Sequence, residues 1–177
     1  MLDTTAPVIT AGIVPPGPQF DTASTTTVSY SADDGAGSGV ASVSATLDGT
    51  AIPSGYLVDT FFVAPGSHTI VVSTIDNVGN DATKTITFEV HATAESLGKN
   101  VVRAFELGLI TKQGTANSLG AKTDAALRSH QRGQHATEWN QLGAFINELE
   151  AQRGKSIDPV TADRFIAFAQ DLIARLG

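Results

Sequence analysis

The chain has 177 residues, 41% of them hydrophobic, with no cysteine and a formal net charge of −7, so disulfides and cysteine-held metals are excluded. Its apolar runs, such as Phe61 to Ala64, fall far short of the roughly 20 residues that span a bilayer. Charge is split unevenly: residues 1–92 hold eight Asp and one Glu against one Lys, a net of −8, while residues 93–177 hold nine acids against ten Lys and Arg, a net of +1. That asymmetry predicts two domains meeting near residue 92, and an acidic first half that repels nucleic acid and anionic membranes.

Met1-Leu2 leads directly into Asp3-Thr4-Thr5-Ala6-Pro7 without a signal-peptide pattern, so the methionine reads as an added start and the chain as a segment of a longer protein. Pro15-Pro16-Gly17-Pro18 cannot sit inside a sheet and predicts an edge or a crossing between sheets. From Thr25 the pattern has period two, with Val28, Tyr30 and Ala32 on one side and Ser29 and Ser31 on the other. Asp33-Asp34-Gly35-Ala36-Gly37-Ser38-Gly39 is a loop. Ala41, Val43, Ala45 and Leu47 alternate next, stopped by Asp48-Gly49, a hairpin pair suited to positive φ. A third apolar stretch covers 56–63. Ile70, Val72 and Thr74 alternate, Asp76-Asn77-Val78-Gly79-Asn80 turns the chain, and Ile86, Phe88 and Val90 form the last strand. About seven short strands with turns every 8 to 12 residues predict an antiparallel β-sandwich over 1–92.

After His91 the period becomes helical. Thr93 can cap a helix over about 94–107, with Leu97, Val101, Ala104 and Phe105 on one face and Gly108 at its end. A second helix is expected over about 115–129, with Leu119, Ala126 and Leu127 inward. Gly133 breaks the chain, and Thr137-Glu138 starts a third helix whose apolar face holds Trp139, Leu142, Phe145, Ile146 and Leu149. Asp158-Pro159 is a cap and first-turn pair for a fourth. The halves look repeated, with Ile110 matching Ile157 and residues 119 and 126 matching 166 and 173 at an offset of 47. This predicts a four-helix antiparallel bundle over 93–177 and a multi-domain, all-β plus all-α chain.

Two resemblances follow from these residues. Asp3-Thr4-Thr5-Ala6-Pro7-Val8-Ile9, Ala32-Asp33 with Ser38-Gly39-Val40, and Gly66-Ser67-His68-Thr69 with Asp76-Asn77-Val78-Gly79-Asn80 resemble bacterial Ig-like modules over about 3–92. The connector Gly108-Leu109-Ile110, Ala116, Leu119, Phe145-Ile146 and Ala162 with Ala169-Gln170-Asp171-Leu172-Ile173 resemble the helical FIMAH module over about 95–177. Together they imply a secreted, extracellular protein and a non-catalytic C-terminal accessory region of an exported bacterial hydrolase, polysaccharide-degrading by family habit. Its implied partner is the catalytic domain of the same parent.

No nucleophile elbow, HExxH, Walker loop or GxGxxG is present, which argues against an enzyme. Asp33 and Asp34 in one loop, with Asp76 and Asn80 in another, are candidate ligands for a structural Ca²⁺, which takes six to eight oxygens. Their competing role is to hydrogen-bond their own turns. Arg128, His130, Arg132 and His135 read as a basic helix–helix corner able to meet an anionic glycan or to dock on the acidic sandwich, with a solvated loop as the favoured reading. Two histidines without an acid close in sequence argue against zinc there. Trp139 and Tyr56 are the aromatic candidates for stacking on a polysaccharide, with core packing the favoured reading for Trp139. An alternative function is therefore carbohydrate or cell-wall binding.

Overall fold

The computed structural model describes residues 3–176, a sheet-rich region followed by four helices. Met1, read as an added start, and Leu2 lie outside the described residues. Contacts divide the chain into two compact units. The first holds most of the strands; the second holds the chain from Val90 onward together with Asp21–Ser24 and Thr60–Gly66.

The strands are β1 (Val8–Val14), β2 (Gln19–Asp21), β3 (Thr25–Asp33), β4 (Val40–Leu47), β5 (Thr50–Ile52), β6 (Tyr56–Asp59), β7 (Gly66–Asp76) and β8 (Asp81–His91). They form a three-stranded sheet, β1-β3-β6, and a five-stranded sheet, β2-β8-β7-β4-β5. The proline run lies where the chain leaves the first sheet for the second, since Pro supplies no ladder N–H. Pairing of β1 with β3 is antiparallel and sets Val8 opposite Asp33. Ile13, Val28, Val58, Ile70, Val72 and Phe88 from both sheets are buried. The β4–β5 hairpin closes through Asp48 and Gly49, whose φ of 49° and 82° are the positive pair a tight hairpin turn requires.

Two stretches depart from a simple half-buried strand. Ala41 and Val43 face solvent, and of the four alternating residues only Ala45 is fully buried. The register also slips between Val40 and Ser42, ahead of Val43, which pairs with Thr74 in phase with Ala45 opposite Val72. The stretch 56–63 is not one strand: β6 ends at Asp59, and Thr60–Phe62 make a 3₁₀ turn. Thr60 stops the strand by hydrogen bonding. Its Oγ1 donates to the Ser24 carbonyl (2.7 Å) and accepts from the Ser24 N–H (2.8 Å).

The helices are α1 (Ala94–Glu106), α2 (Gln113–Gln131), α3 (His135–Gln152) and α4 (Pro159–Arg175). Consecutive helices pack on each other, and α1 also meets α4. Thr93 caps α1 through a reciprocal bond with Ser96, and Gly108 follows its end at φ 72°. Asp158 caps α4 by accepting from the Thr161 N–H at 2.9 Å, with Pro159 as first helical residue. The third helix starts two residues before Thr137, at His135, without a side-chain cap.

The two connectors pair with each other. Ile110 and Ile157 form an antiparallel bridge, flanked by Thr111 N–H to the Ser156 carbonyl (2.8 Å) and Asp158 N–H to the Leu109 carbonyl (2.9 Å). The offset of 47 holds for these isoleucines but not for the helices they join. Ile166 and Ile173 are only partly buried, whereas Phe165 and Leu172 are buried like Leu119 and Ala126. The second connector places its isoleucine three residues after its glycine, the first only two, and the helical faces therefore repeat one residue earlier.

The helical core includes Leu97, Val101, Leu119, Leu142, Phe145, Phe165 and Phe168, and also Phe61. Phe61 meets Phe165 and Phe168 edge to face, with centroids 5.9 and 6.4 Å apart. Arg103 and Arg164 stand over its ring at 5.4 and 5.2 Å. Asp21–Ser24 joins the same unit through Thr22, which bonds the Ser96 hydroxyl (2.8 Å) and whose carbonyl accepts from Asn100 Nδ2 (2.8 Å).

Candidate functional site

Two side-chain clusters answer to the residues singled out in the sequence, one in each unit. In the sheet-rich unit, the carboxylates of Asp3, Asp34 and Asp76 each bring an oxygen within 4.8 Å of the others. Asp34 and Asp76 belong to the expected calcium set. Asp33 does not join them, because its Oδ1 caps the Gly35 N–H at 2.9 Å. Asn80 turns its amide hydrogens toward Asp76 Oδ2 (2.7 Å) and the Asp3 and Thr5 carbonyls (3.4 Å each), so it braces the cluster instead of adding an oxygen. Asp3 was missed. The β1–β3 register runs the residues before Val8 back along the loop after Asp33, and nothing in the local sequence signals this.

The loop is built around these acids. Asp3 Oδ2 accepts from the Ser38 N–H at 2.6 Å, and Asp34 Oδ2 from the Gly39 N–H at 2.7 Å. A Cβ at Gly37 would stand 2.7 Å from Asp3 Oδ2, so only glycine fits between the carboxylates. Asp34 Oδ1 is buried and takes no hydrogen bond among the described residues. Asp76 is buried, and its Oδ1 accepts from the N–H groups of Val78 (2.9 Å), Gly79 (2.7 Å) and Asn80 (2.8 Å). Burial pushes the Asp76 carboxyl upward, but the Asn80 side chain and these three backbone donors outweigh it and hold the group below its ordinary value of 3.8. Three carboxylates thus offer hard oxygens of the kind Ca²⁺ takes, against the six to eight that complete its shell.

In the helical unit, α2 ends and α3 begins around Gly133, at φ 66°. Arg128 and Arg132 are exposed there, and the His130 and His135 rings lie 6.1 Å apart. The corner is not purely basic. Glu138, fully buried at the base of α3, sets its Oε2 3.0 Å from His130 Nδ1 and 3.6 Å from His135 Nδ1. The expectation of no acid near the histidines is thus corrected: Glu138 is the i+3 neighbour of His135 once the helix starts at His135.

Glu138 also explains Trp139. The buried face of α3 is Glu138, Leu142, Phe145 and Leu149. Trp139, one step of about 100° round the helix, is 56% exposed, which corrects its assignment to the core. With His135, Ala136, Asn140, Ile173 and Leu176 it lines an open hollow of about 410 Å³. Tyr56 starts β6 opposite Val28 and is partly exposed in the sheet-rich unit. Tyr30 is half-buried, its hydroxyl donating to the Ile52 carbonyl at 2.8 Å.

Other polar groups of the helical unit are engaged in structure. Asp171 Oδ2 accepts from the Ala92 N–H (2.8 Å) and Arg175 (2.9 Å), and Arg175 also reaches the Ala92 carbonyl. Lys122 pairs with Glu148 at 2.6 Å. No helix among the described residues is long and apolar enough to cross a membrane. No known family's sequence profile matches the chain, and no curated protein does. Among solved structures, the endo-beta-1,4-mannanase from Thermotoga petrophila is similar over 51% of this chain and 21% of its own, at 14% identity and a TM-score of 0.38.

Proposed function

We propose that this chain is a non-catalytic accessory region of an exported bacterial hydrolase. In this reading the two sheets form an Ig-like antiparallel sandwich over 1–92 that acts as a spacer. The helices form an antiparallel, FIMAH-type bundle over 93–177 that docks on or caps the catalytic part. The observation that carries it is where the polar side chains are used: Asp76 serves a turn, Asp158 and Thr93 cap helices, and Asp171 ties the start of α1 to α4. Such groups maintain a fold and leave a passive role as the simplest reading. A structural Ca²⁺ on Asp3, Asp34 and Asp76 belongs to this proposal, since it would join the residues before β1 to two loops.

A second reading, glycan binding, is favoured by one feature. Trp139 presents an exposed ring beside Asn140 and His135 over an open hollow, the arrangement on which a sugar face can stack. Affinity electrophoresis through neutral and acidic polysaccharides, with and without Ca²⁺, separates the two. The accessory reading expects no retardation, together with loss of stability when the region is removed from its parent hydrolase. Retardation abolished by Trp139→Ala would replace it with the binding reading, and turnover of a polysaccharide by this chain alone would overturn both.

A further inference from the structure

We propose that His130, His135 and Glu138 form a binding site for a divalent transition-metal ion of the zinc type. The last turn of α2 supplies His130, and the first turn of α3 supplies His135 and Glu138 three residues apart on one face. Their ligand atoms all lie within 4.8 Å of one another. Around a tetrahedral Zn²⁺ with bonds near 2.0–2.2 Å, neighbouring ligand atoms stand about 3.3 Å apart. The separations from Glu138 Oε2, 3.0 Å to His130 and 3.6 Å to His135, straddle that value.

An independent observation points the same way. Glu138 is 0% exposed, and its Oε1 has no hydrogen-bond partner among the described residues. A buried carboxylate oxygen without a donor is costly and rare. An ion held by both oxygens would satisfy it. A plain His–Glu hydrogen bond accounts for His130 but leaves His135 unexplained, since 3.6 Å is too long for such a bond. The third group fits a metal. Two imidazoles and one carboxylate suit Zn²⁺, Ni²⁺ or Cu²⁺, whereas Ca²⁺ and Mg²⁺ prefer oxygen throughout. His130 and His135 are 52% and 54% exposed, so the ion has a way in and keeps a position open to solvent.

The test is calorimetric titration of the tag-free full chain with Zn²⁺, repeated with Cu²⁺ while following quenching of Trp139. That residue is the chain's one tryptophan and lines the same hollow as His135. One equivalent of Zn²⁺ is expected to bind and raise the melting temperature, with Ca²⁺ and Mg²⁺ failing to compete. His130→Ala and His135→Ala, both at half-exposed positions, should each weaken binding at least about tenfold, as even supporting residues of such sites do. Glu138→Gln, checked for its fold by circular dichroism, should do the same, while Asp34→Ala should leave Zn²⁺ binding intact. No saturable Zn²⁺ binding, or binding unchanged in both histidine variants, would overturn the proposal.

Discussion

Phe61 and Phe165 meet edge to face inside the helical core, although one follows a strand of the sheets and the other sits in the last helix. Phe61 is fully buried, so its removal should leave a cavity that the surrounding rings fill only in part. Phe61→Ala is expected to destabilise the helical unit by about 3–5 kcal/mol. Urea unfolding of the full chain, followed by the helical signal at 222 nm, measures it. A loss within the range of surface substitutions, about 0.5 kcal/mol, would mean that Phe61 does not belong to that core.

The bridge between Ile110 and Ile157 makes a second expectation. Both side chains are buried, so each Ile→Ala change should cost about 2–5 kcal/mol. Because the residues are in contact, the double variant should depart from the sum of the singles by about 0.5 kcal/mol or more. Additive behaviour would show that the connectors act independently.

Acid should weaken the sheet-rich unit through Asp76. Its folded pKa lies below the unfolded one, so the fold favours the carboxylate. That contribution is complete above the unfolded value and is lost as pH falls through the folded one, below 3.8. Asp48 behaves alike: burial raises it, but the His68 hydrogen bond at 2.7 Å, the Thr69 N–H and the His68 charge together lower it. Asp76→Asn, melted against wild type in chelator across pH 2 to 7, isolates the first group. The stability gap should be largest near neutrality and shrink toward pH 2, and a gap independent of pH would refute the assignment.

Calcium should act on the same end of the sheets. In the presence of Ca²⁺ the melting temperature of the sheet-rich unit should exceed that in EDTA, by the mass-action rule for a ligand of the folded state. Asp34→Ala should abolish the difference, since Asp34 Oδ1 is the buried oxygen left without a donor. Equal melting with and without Ca²⁺ would remove the ion from the account.

Much of this fold was legible because its punctuation is local. Asp48-Gly49, Thr93, Gly108 and Asp158-Pro159 each act within a few residues, and each does what its chemistry predicts. What was missed depends on distant partners. Asp3 reaches the acidic cluster only through the β1–β3 register. Trp139 reads as core until Glu138 is seen to hold the inward position beside it, and a buried acid breaks the apolar pattern on which helical faces are read. The offset of 47 came from matching isoleucines in connectors whose spacing from their glycines differs by one residue. The break of the apolar stretch 56–63 at Thr60 has no local signal because the partner of Thr60 is Ser24, more than thirty residues away.

The membership of Phe61 and Thr22 in the helical unit bears on how such a region is inherited. A cassette cut at residue 92, where charge and periodicity both change, would carry the helices away from the ring that fills their core and from the threonine that partners Asn100. Recombination at that point would deliver a bundle with Phe165 and Phe168 bared toward whatever came before it. The piece that must be kept together is therefore larger than the helices themselves, and takes in the loops that carry Phe61 and Thr22.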